Sequence, residues 1–430
     1  MRDVRPSWPA SLHLSALLAS EIMKPGINAR QLQVFTAVAE LGGATKAAQA
    51  LYRAQSAITR AIQELESSLG VPLFERKLAG MLLTANGQTL LIRARRIAQE
   101  FELAHREIAA AALDDTSISK AQKFPLLFDR RRLTAFIELG KLQHMPTVAN
   151  SLGITQQAVS ASINTLESGF GVPLFQRTPR GMLLTDAGKL LAFRAKRALA
   201  ELRRAETEMQ SLSGAQNGKL EGRVTVGVTL GRTYILPRAI ARVLSAHPGL
   251  QIVTMEGSFD VLAADLRAGD IDFILGALRS TDYARDLLSE SLMNDRMGIF
   301  VRRGHPLMRK REIRINDLVD ARWILPSLGT LTRRLFDMSF AHHGVKPPPA
   351  AVETSDLSIL RDLLLNSDML TAISLHWLYH ERMSGDLGVL DFNLHGTERI
   401  IGMTQRRDSY LPPGASALMK AVRQVISSMR

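Results

Sequence analysis

The 430-residue chain contains no cysteine. That absence excludes disulfide bonds, thiolate nucleophiles and cysteine-ligated zinc or iron–sulfur sites, and it fits a reducing compartment. Apolar runs of the roughly 20 residues that a membrane helix requires are also missing, so no membrane partner is predicted. The start of the chain weakly resembles a signal peptide, but His13 and three serines interrupt its short apolar core. We expect a cytoplasmic protein whose residues 1–27 are disordered.

Sequence motifs of common enzymes are missing as well. The chain has no Gly-x-Ser-x-Gly, no His-Glu-x-x-His, no P-loop and no Gly-x-Gly-x-x-Gly. His376 and His380 have the spacing of a helical metal pair, with Glu381 beside them, but the neighbouring Trp377 and Tyr379 favour a packing role. We predict no catalytic activity, no metal site and no cofactor.

What the chain does contain is a repeat with a step of 101 residues. GVPLFER at Gly70–Arg76 returns as GVPLFQR at Gly171–Arg177, and GMLLT at Gly80–Thr84 returns at Gly181–Thr185. Residues 62–87 and 163–188 are identical at 16 of 26 positions, far above chance. The chain therefore carries one small domain twice, with copy one predicted at residues 28–113 and copy two at residues 126–213.

The formal charge of +13 is concentrated in the half of the chain that holds the repeat. Residues 1–219 carry a charge of +10, whereas residues 220–430 carry +3. A basic half joined to a near-neutral half indicates a polyanion-binding module attached to a domain with a different task.

Copy one has the pattern of a winged helix-turn-helix. After a first helix with apolar residues at helical spacing, Thr45 is predicted to cap a second helix, Lys46–Leu51. A third helix is expected over Gln55–Leu69, with Gly70 ending it. Two short apolar runs then predict a β-hairpin, and a long helix is expected over Asn86–Leu113.

In such a module the third helix lies in the DNA major groove, with its first residues at base edges. Glutamine suits adenine, and arginine suits guanine or phosphate. Lys46 and the hairpin residue Arg76 are expected near the phosphate backbone, where charge positions the protein without reading sequence. The base-reading candidates of copy one are Gln55, Ser56, Thr59 and Arg60.

Copy one resembles the DNA-binding domain of LysR-type transcriptional regulators in three runs: ELGGATKAAQAL, AQSAITRAIQELESSLGVPLFER and GMLLTANG. It departs mildly from the family pattern at Ala54, Ser56 and Thr59. The resemblance implies a regulator that binds promoter or operator DNA as a homodimer or homotetramer, with RNA polymerase as a candidate partner. It also implies that the long helix pairs between subunits, a role that Gln88–Leu113 and Lys189–Leu212 fit.

Copy two keeps the scaffold but changes part of the reading surface. Ala161 stands at the position of Arg60, and Thr147 at the position of Lys46. We therefore expect copy one to read bases and copy two to supply mainly backbone contacts. The DNA-contacting candidates of copy two are Gln156, Gln157, Ser160, Arg177 and Arg180.

Two interpretations of the doubling remain open from the sequence. One chain forms a pseudo-twofold pair through its own two long helices, or copy two has become a spacer for dimerisation. Linking two modules raises the effective concentration of the second contact to about millimolar, provided that both can engage DNA together.

After a Gly-rich linker at Ser213–Gly222, strands alternate with helices. Near-continuous apolar strands such as Val224–Val228 predict an α/β fold with a parallel sheet. The runs GRVTVGV, LRAGDIDFILG, RRGHPL and WILPSLGTLTRR are similar to the LysR effector-binding domain. This resemblance implies a two-lobed domain like periplasmic binding proteins over residues 222–430, with lobe one at 222–294 and 394–430 and lobe two at 295–393.

The same resemblance implies a small-molecule effector in the cleft between the lobes. Ligands of open α/β sheets bind beyond the carboxyl ends of strands, where helix N-termini present free N–H groups. Arg232 makes an anionic effector the prediction, and helix capping is the alternative role of each hydroxyl. The effector-contacting candidates are Thr229, Arg232, Thr233, Ser327, Thr330, Ser355 and Ser374.

The predicted fold is therefore multidomain: two winged helix-turn-helix domains, each followed by a long linker helix, and then a two-lobed α/β effector domain. The predicted function is sequence-specific transcriptional regulation in which an effector modulates DNA binding or activation. The alternative is a solute-binding sensor without a direct DNA role, which would leave both helix-turn-helix copies without a purpose.

Overall fold

The computed structural model describes residues 27–77, 80–112, 128–179, 181–213, 219–229, 235–279, 285–407 and 409–428. They form two compact units, one with residues up to 218 together with Ala268–Asp270, and one with the remaining residues from Lys219 onward. The predicted disordered extension, apart from the buried Ile27, lies outside the described residues, as does the centre of the predicted linker.

Copy one folds as a winged helix-turn-helix. Its third helix has the predicted bounds, but Thr45 lies within the first turn of α2, which begins after Gly43, so the prediction that Thr45 caps this helix is wrong. The residue at the cap position is Gly43, which has no side chain to form a capping hydrogen bond. The sequence analysis did not consider a glycine at this position. The elements are α1 (Ala29–Leu41), α2 (Ala44–Ala50), α3 (Gln55–Leu69), β1 (Phe74–Lys77), β2 (Gly80–Leu83) and α4 (Ala85–Ala112).

Copy two repeats the same order of elements. Both hairpins are antiparallel, and Phe74 pairs with Leu83 as Phe175 pairs with Leu184, 101 residues later. The elements are α5 (Arg130–Leu142), α6 (Met145–Leu152), α7 (Gln156–Phe170), β3 (Phe175–Thr178), β4 (Gly181–Leu184) and α8 (Asp186–Ser213).

The repeated motifs satisfy backbone groups at the start of each hairpin. The Glu66 carboxylate accepts hydrogen bonds from the backbone N–H groups of Leu73 and Phe74 at 2.7 and 3.1 Å, and Glu167 does the same in copy two. A Cβ on Gly87 would come within 2.1 Å of the Leu73 carbonyl, so the long helix needs glycine where it passes the hairpin. Glu66 and Gly87, which the repeat keeps, thus help to join helix three, the hairpin and the long helix.

The two copies share one continuous hydrophobic core, which includes Phe35 and Ile58 of copy one and Phe136 and Val159 of copy two. The long helices α4 and α8 pack along one another. Arg93, near the start of α4, contacts Glu208 near the end of α8, so the two helices run antiparallel.

The second unit contains two five-stranded sheets. Its helices are α9 (Ile235–Ala246), α10 (Phe259–Ala268), α11 (Ile315–Val319), α12 (Leu331–His342), α13 (Leu357–Leu365), α14 (Tyr379–Met383) and α15 (Pro413–Ser427). Its strands are β5 (Glu221–Thr229), β6 (Gly249–Gly257), β7 (Phe273–Ala277), β8 (Leu287–Asp295), β9 (Met297–Arg302), β10 (Trp323–Leu325), β11 (Ala350–Glu353), β12 (Leu370–Ser374), β13 (Leu387–Leu390) and β14 (Arg399–Arg406).

The strand orders are β6-β5-β7-β14-β8 and β11-β10-β12-β9-β13. In each sheet the first three strands are parallel, as predicted, whereas the last two run antiparallel to their neighbours, so each sheet is mixed. The antiparallel strands arise because the chain leaves the first sheet at Arg296 and returns after Leu390 to form β14. The first strand after each crossing, β9 in the second sheet and β14 in the first, runs antiparallel to both of its neighbours.

Candidate nucleic-acid interface and effector cavity

The third helix of copy one presents a polar start to solvent. Ile58, Ile62 and Leu65 lie on its buried face, which fixes its rotation on the core. Gln55, Ser56 and Arg60 are exposed and Thr59 is half-buried, as a base-reading surface requires. The Thr59 hydroxyl donates a hydrogen bond to the Gln55 carbonyl at 3.1 Å.

Arg60 is oriented along its own helix. Its Nε donates to Glu64 Oε1 at 2.9 Å, and both side chains are largely exposed. An exposed i,i+4 pair of this kind contributes only about 0.3–0.5 kcal/mol, so DNA could displace it at low cost.

The matching helix of copy two has a polar start without charge. Gln156 and Gln157 are exposed, and Ser160 is half-buried. The exposed Ala161 replaces Arg60, and Thr165, at the position of Glu64, donates its hydroxyl hydrogen bond to the Ala161 carbonyl at 2.8 Å. This surface can make hydrogen bonds, but it lacks the bidentate donor of copy one.

The cationic candidates around these helices are placed as follows. Lys46 is exposed on α2, and Arg177 is exposed on β3. Arg76 lies in β1, and Arg180 lies outside the described residues.

Sequence reasoning missed one prominent residue of this surface. Tyr52, in the turn before α3, is 94% exposed and has a positive φ of 52°. Its counterpart in copy two is Gly153, with a φ of 64°. The repeat could have revealed this residue, because it aligns Tyr52 with a glycine. Glycine suits the left-handed backbone conformation better than tyrosine does, so backbone conformation does not explain the tyrosine.

Two ion clusters join the long helices, a buried one around Arg93 and a part-buried one around Arg194. Arg93 donates to Glu201 and Glu208, each at 2.5 Å, and these three side chains are at most 5% exposed. Arg194 donates to Glu100 at 3.0 Å and also to Glu107. Every residue of the second cluster lies 101 positions from its counterpart in the first, so the two clusters are related by a pseudo-twofold axis.

Both arginines are held in their charged form. Burial alone would lower the pKa of Arg93, but its hydrogen bonds to Glu208 and the charges of Glu201 and Glu208 offset burial and raise the pKa above its ordinary value. Burial likewise opposes the hydrogen bonds and charges of Glu107 and Glu100, which raise the pKa of Arg194. These contacts favour the antiparallel pairing in which both arginines meet two glutamates.

Five of the seven effector candidates lie among the described residues. Thr330 caps α12 by accepting from the Arg333 N–H at 3.2 Å, and it donates to the Ser327 carbonyl at 2.9 Å. Thr229 ends β5 and is half-buried, whereas Ser355 is exposed before α13. Arg232 and Thr233 lie outside the described residues.

Ser374 is fully buried beside a cavity where the chain passes between the two sheets. Its hydroxyl donates to Asp295 Oδ1 at 2.7 Å, and its oxygen accepts from the His376 N–H at 3.2 Å. The cavity has a volume of about 550 Å³. It is lined by Asn294, Asp295, Arg296, Leu375, His376, Glu398, Arg399 and Ile400.

Arg399 is the buried cation of this cavity. Its side chain is 7% exposed, its Nε donates to Asp295 Oδ2 at 2.9 Å, and its Nη1 lies 3.3 Å from Thr332 Oγ1. Its buried Nη2 has no hydrogen-bond partner among the described residues. A buried guanidinium with a donor left over is suited to an oxygen atom of a ligand.

Two further features bear on partners. Within the described ranges, no helix is both long and apolar enough to cross a membrane. Nor do the described histidine, aspartate and glutamate residues form a group of three that could hold a metal ion.

Comparison with known proteins gives matches over almost the whole chain. The profile of the family "Bacterial regulatory helix-turn-helix protein, lysR family" matches twice, at residues 29–88 and 130–189, and that of "LysR substrate binding domain" matches residues 217–427. The HTH-type transcriptional regulator GalR of Pseudomonas putida is 45% identical over 402 residues, covering 93% of this chain and 98% of the relative. An alignment of that length extends across both copies.

Other similar proteins cover less of the chain. The HTH-type transcriptional regulator GbpR of Azospirillum brasilense is 29% identical over 295 residues, 68% of this chain and 85% of the relative. The structure of full-length OxyR from Pseudomonas aeruginosa aligns with a TM-score of 0.51 at 21% identity, covering 68% of this chain and 93% of that one. The likeness to OxyR supports the fold of each part that it covers.

Proposed function

The chain belongs to the LysR family of transcriptional regulators, and from that membership we propose that α3 and α7 each enter a major groove of operator DNA. As a member of this family it is a DNA-binding regulator with an effector-binding domain, and it is not an enzyme. The alternative of a solute-binding sensor without a DNA role is therefore not retained.

The observation that supports this mode of binding is the exposure of both helix starts. Gln55 and Gln156 face solvent while the opposite face of each helix packs on the shared core. A helix held in this way can reach base edges without rearranging the core.

We assign base reading mainly to copy one. Gln55 can bond adenine in a bidentate manner, and Arg60 can bond guanine after leaving Glu64. Ser56 and Thr59 add hydroxyl groups to the same surface. In copy two, Gln156, Gln157 and Ser160 supply neutral polar contacts.

The hairpin cations are assigned to the phosphate backbone. Arg76 in copy one, and Arg177 and Arg180 in copy two, follow the reading helices, and Lys46 precedes one of them. Contacts of this kind set the register on the duplex and bind all sequences alike.

Replacing Arg60 and Arg76 one at a time tests the assignment. Footprinting with purified protein first supplies a genomic operator. Arg60→Ala should then weaken binding to that operator by about tenfold and binding to an unrelated duplex much less, because one bidentate contact discriminates by roughly 1–3 kcal/mol. Arg76→Ala should weaken both equally, measured by fluorescence anisotropy at fixed salt. Equal losses from the two changes would show that α3 does not read the sequence.

For the effector we propose an anion that binds in the cavity beside Arg399. The support is the buried Nη2 donor together with the nearby His376, in a space large enough for a small metabolite. The sequence analysis assigned the anion to Arg232, whereas this proposal assigns it to Arg399. Ser374 keeps an indirect role, because its hydroxyl holds Asp295.

An effector changes DNA binding only if it prefers one arrangement of the domain. The chain passes between the two sheets beside this cavity, so a ligand there can favour one arrangement of the proposed lobes, 222–294 with 394–430 and 295–393. We further propose that the regulator acts in the cytoplasm, as a homo-oligomer like other members of the family, and that RNA polymerase is a partner at promoters.

A further inference from the structure

The contact between the two copies has the form of a symmetric dimer interface inside one chain. In a twofold dimer, residue i of one subunit contacts residue j of the other, and j contacts i. Here Arg93 contacts Glu208 as Arg194 contacts Glu107, and Arg93 contacts Glu201 as Arg194 contacts Glu100. The chain supplies both halves of this interface.

The interface is occupied by the chain's own groups. Arg93, Glu201 and Glu208 are at most 5% exposed at the side chain. For a second chain to pair through the same face of α4, these charges would have to be separated and exposed to a new partner. Removing one partner from a buried ion pair is strongly unfavourable, so α4 favours a partner that supplies the matching glutamates, as α8 of the same chain does.

The geometry of the helix pair suits two sites on one duplex. Each long helix has 28 residues, which at 1.5 Å per residue is about 42 Å. Because α4 and α8 are antiparallel and each follows its own hairpin, the reading helices α3 and α7 lie toward opposite ends of the pair. Helix-turn-helix dimers span half-sites about 34–36 Å apart, one turn of DNA.

The two readers of this internal pair are unlike. Lys46 and Arg60 are exposed in copy one, and their counterparts Thr147 and Ala161 are exposed in copy two. Thr147 instead shares a hydrogen bond of 2.8 Å with His144.

The turns before the reading helices differ in the same sense. Copy one has Tyr52 and Arg53, where copy two has Gly153 and Ile154. Copy one thus has three cations and one exposed tyrosine at the positions where copy two has four uncharged residues. The buried face is kept, since Ile58, Ile62 and Leu65 correspond to Val159, Ile163 and Leu166.

We propose that one chain recognises an asymmetric operator composed of two unlike half-sites, reading base sequence at one through copy one and holding the other mainly through its backbone by copy two. The inference rests on the proposed function. It adds that the chain binds in one direction along the duplex and that no second chain is needed to fill the two half-sites.

Selection from random DNA tests the asymmetry. The full-length protein selects from duplexes with a random core of about 40 base pairs, roughly four turns of 10–10.5 base pairs. We expect one sharply defined half-site and, at a fixed spacing, one poorly defined half-site that is not its inverted repeat. Enrichment of a palindrome would overturn the inference and leave the DNA-binding function intact, whereas failure to enrich any sequence would overturn both.

A conversion variant extends this test. Thr147→Lys with Ala161→Arg gives copy two the exposed cations of copy one without touching the core. It should sharpen the second half-site toward an inverted copy of the first and raise affinity for such a palindrome by about tenfold or more. The reverse variant, Lys46→Thr with Arg60→Ala, should blur the sharp half-site. If neither variant changes the selected sequence, the copies do not differ in reading and the inference is wrong.

Mixing two defective chains tests whether one chain fills both half-sites. One chain carries Lys46→Thr and Arg60→Ala, and the other carries Gln156→Ala, Gln157→Ala and Arg177→Ala. We expect an equimolar, co-expressed mixture to bind the selected site no better than the stronger chain alone. Recovery toward wild-type affinity would mean that copies from different chains combine on DNA, which would overturn the one-chain arrangement.

Discussion

Arg93 and Arg194, between the long helices, each bond two glutamates that lie two helical turns apart. Glu201 and Glu208 belong to one face of α8, and Glu100 and Glu107 to the same face of α4. A slide of one helix by a single turn would leave charges buried without their partners, at a cost of several kcal/mol. These side chains therefore fix the register of the pair more than they add to its stability.

Arg93→Ala should destabilise the first unit by about 3–5 kcal/mol, because Glu201 and Glu208 would remain buried without their cation. Urea unfolding followed by circular dichroism measures this. Arg95→Ala is the matched control two residues along α4, since Arg95 pairs with Glu40 in an exposed ion pair. Its cost should be below about 1 kcal/mol. A similar small loss for both variants would show that the buried cluster is not paired as described.

A substitution of Arg399 tests the proposed anion site. Lysine keeps the charge and can still bond Asp295, but it has no counterpart of the unpartnered Nη2 donor. Arg399→Lys should therefore weaken the thermal shift that millimolar acetate, succinate or phosphate produces, by about tenfold in apparent affinity. Arg296→Lys, at an exposed residue of the same cavity, is the control and should change little. Equal losses from both would mean that anions bind to general surface charge.

At the scale of elements, α3 and α7 begin differently. Thr155 precedes α7, and its hydroxyl accepts a hydrogen bond from the Ala158 N–H at 3.2 Å. Ala54 precedes α3 in the same extended conformation, with φ −66° and ψ 141°. The helix that carries Arg60 thus follows a residue without a capping hydroxyl.

Ala54→Thr should stabilise the first unit by about 1 kcal/mol, since a threonine at this position can cap the free N–H groups of α3. Thr155→Ala should destabilise it by a similar amount. Thermal unfolding of both variants and of the wild type measures the two effects. If Ala54→Thr also lowers DNA affinity, the uncapped N–H groups of α3 contact phosphate, which a stability effect alone would not produce.

The sequence predicted most elements of the helix-turn-helix copies because their signals are local. The span Gln55–Leu69 follows from the spacing of Ile58, Ile62 and Leu65 and from the Gly70 stop, whose φ is 68°. Thr45 was wrongly predicted to cap α2, because a good capping residue near a helix start need not be the cap. The mixed sheets were missed since strand direction depends on pairings between distant segments, such as β7 with β14.

At the scale of the whole chain, the cavity escaped prediction for the same reason. Asp295 and Arg399 are 104 residues apart and meet only where the chain passes between the two sheets. Neither residue belongs to a sequence motif. Ser327 and Thr330 were predicted as effector contacts instead because they follow the end of a strand. The pairing of the long helices was open from the sequence, and the repeated ion clusters now favour the internal pair over a spacer role.

The salt dependence of operator binding reports how many cations the two copies bring to phosphate. Lys46, Arg76, Arg177 and Arg180 predict about four contacts, so log affinity should fall against log salt with a slope of about −4, at roughly −0.9 per phosphate neutralised. Arg177→Ala should reduce that slope by about 1 and weaken binding to every duplex alike. Arg311→Ala, at an exposed arginine of the second unit, should leave the slope unchanged. A slope near −2 that Arg177→Ala does not alter would mean that copy two stays off the duplex, and the chain would then hold DNA through copy one alone.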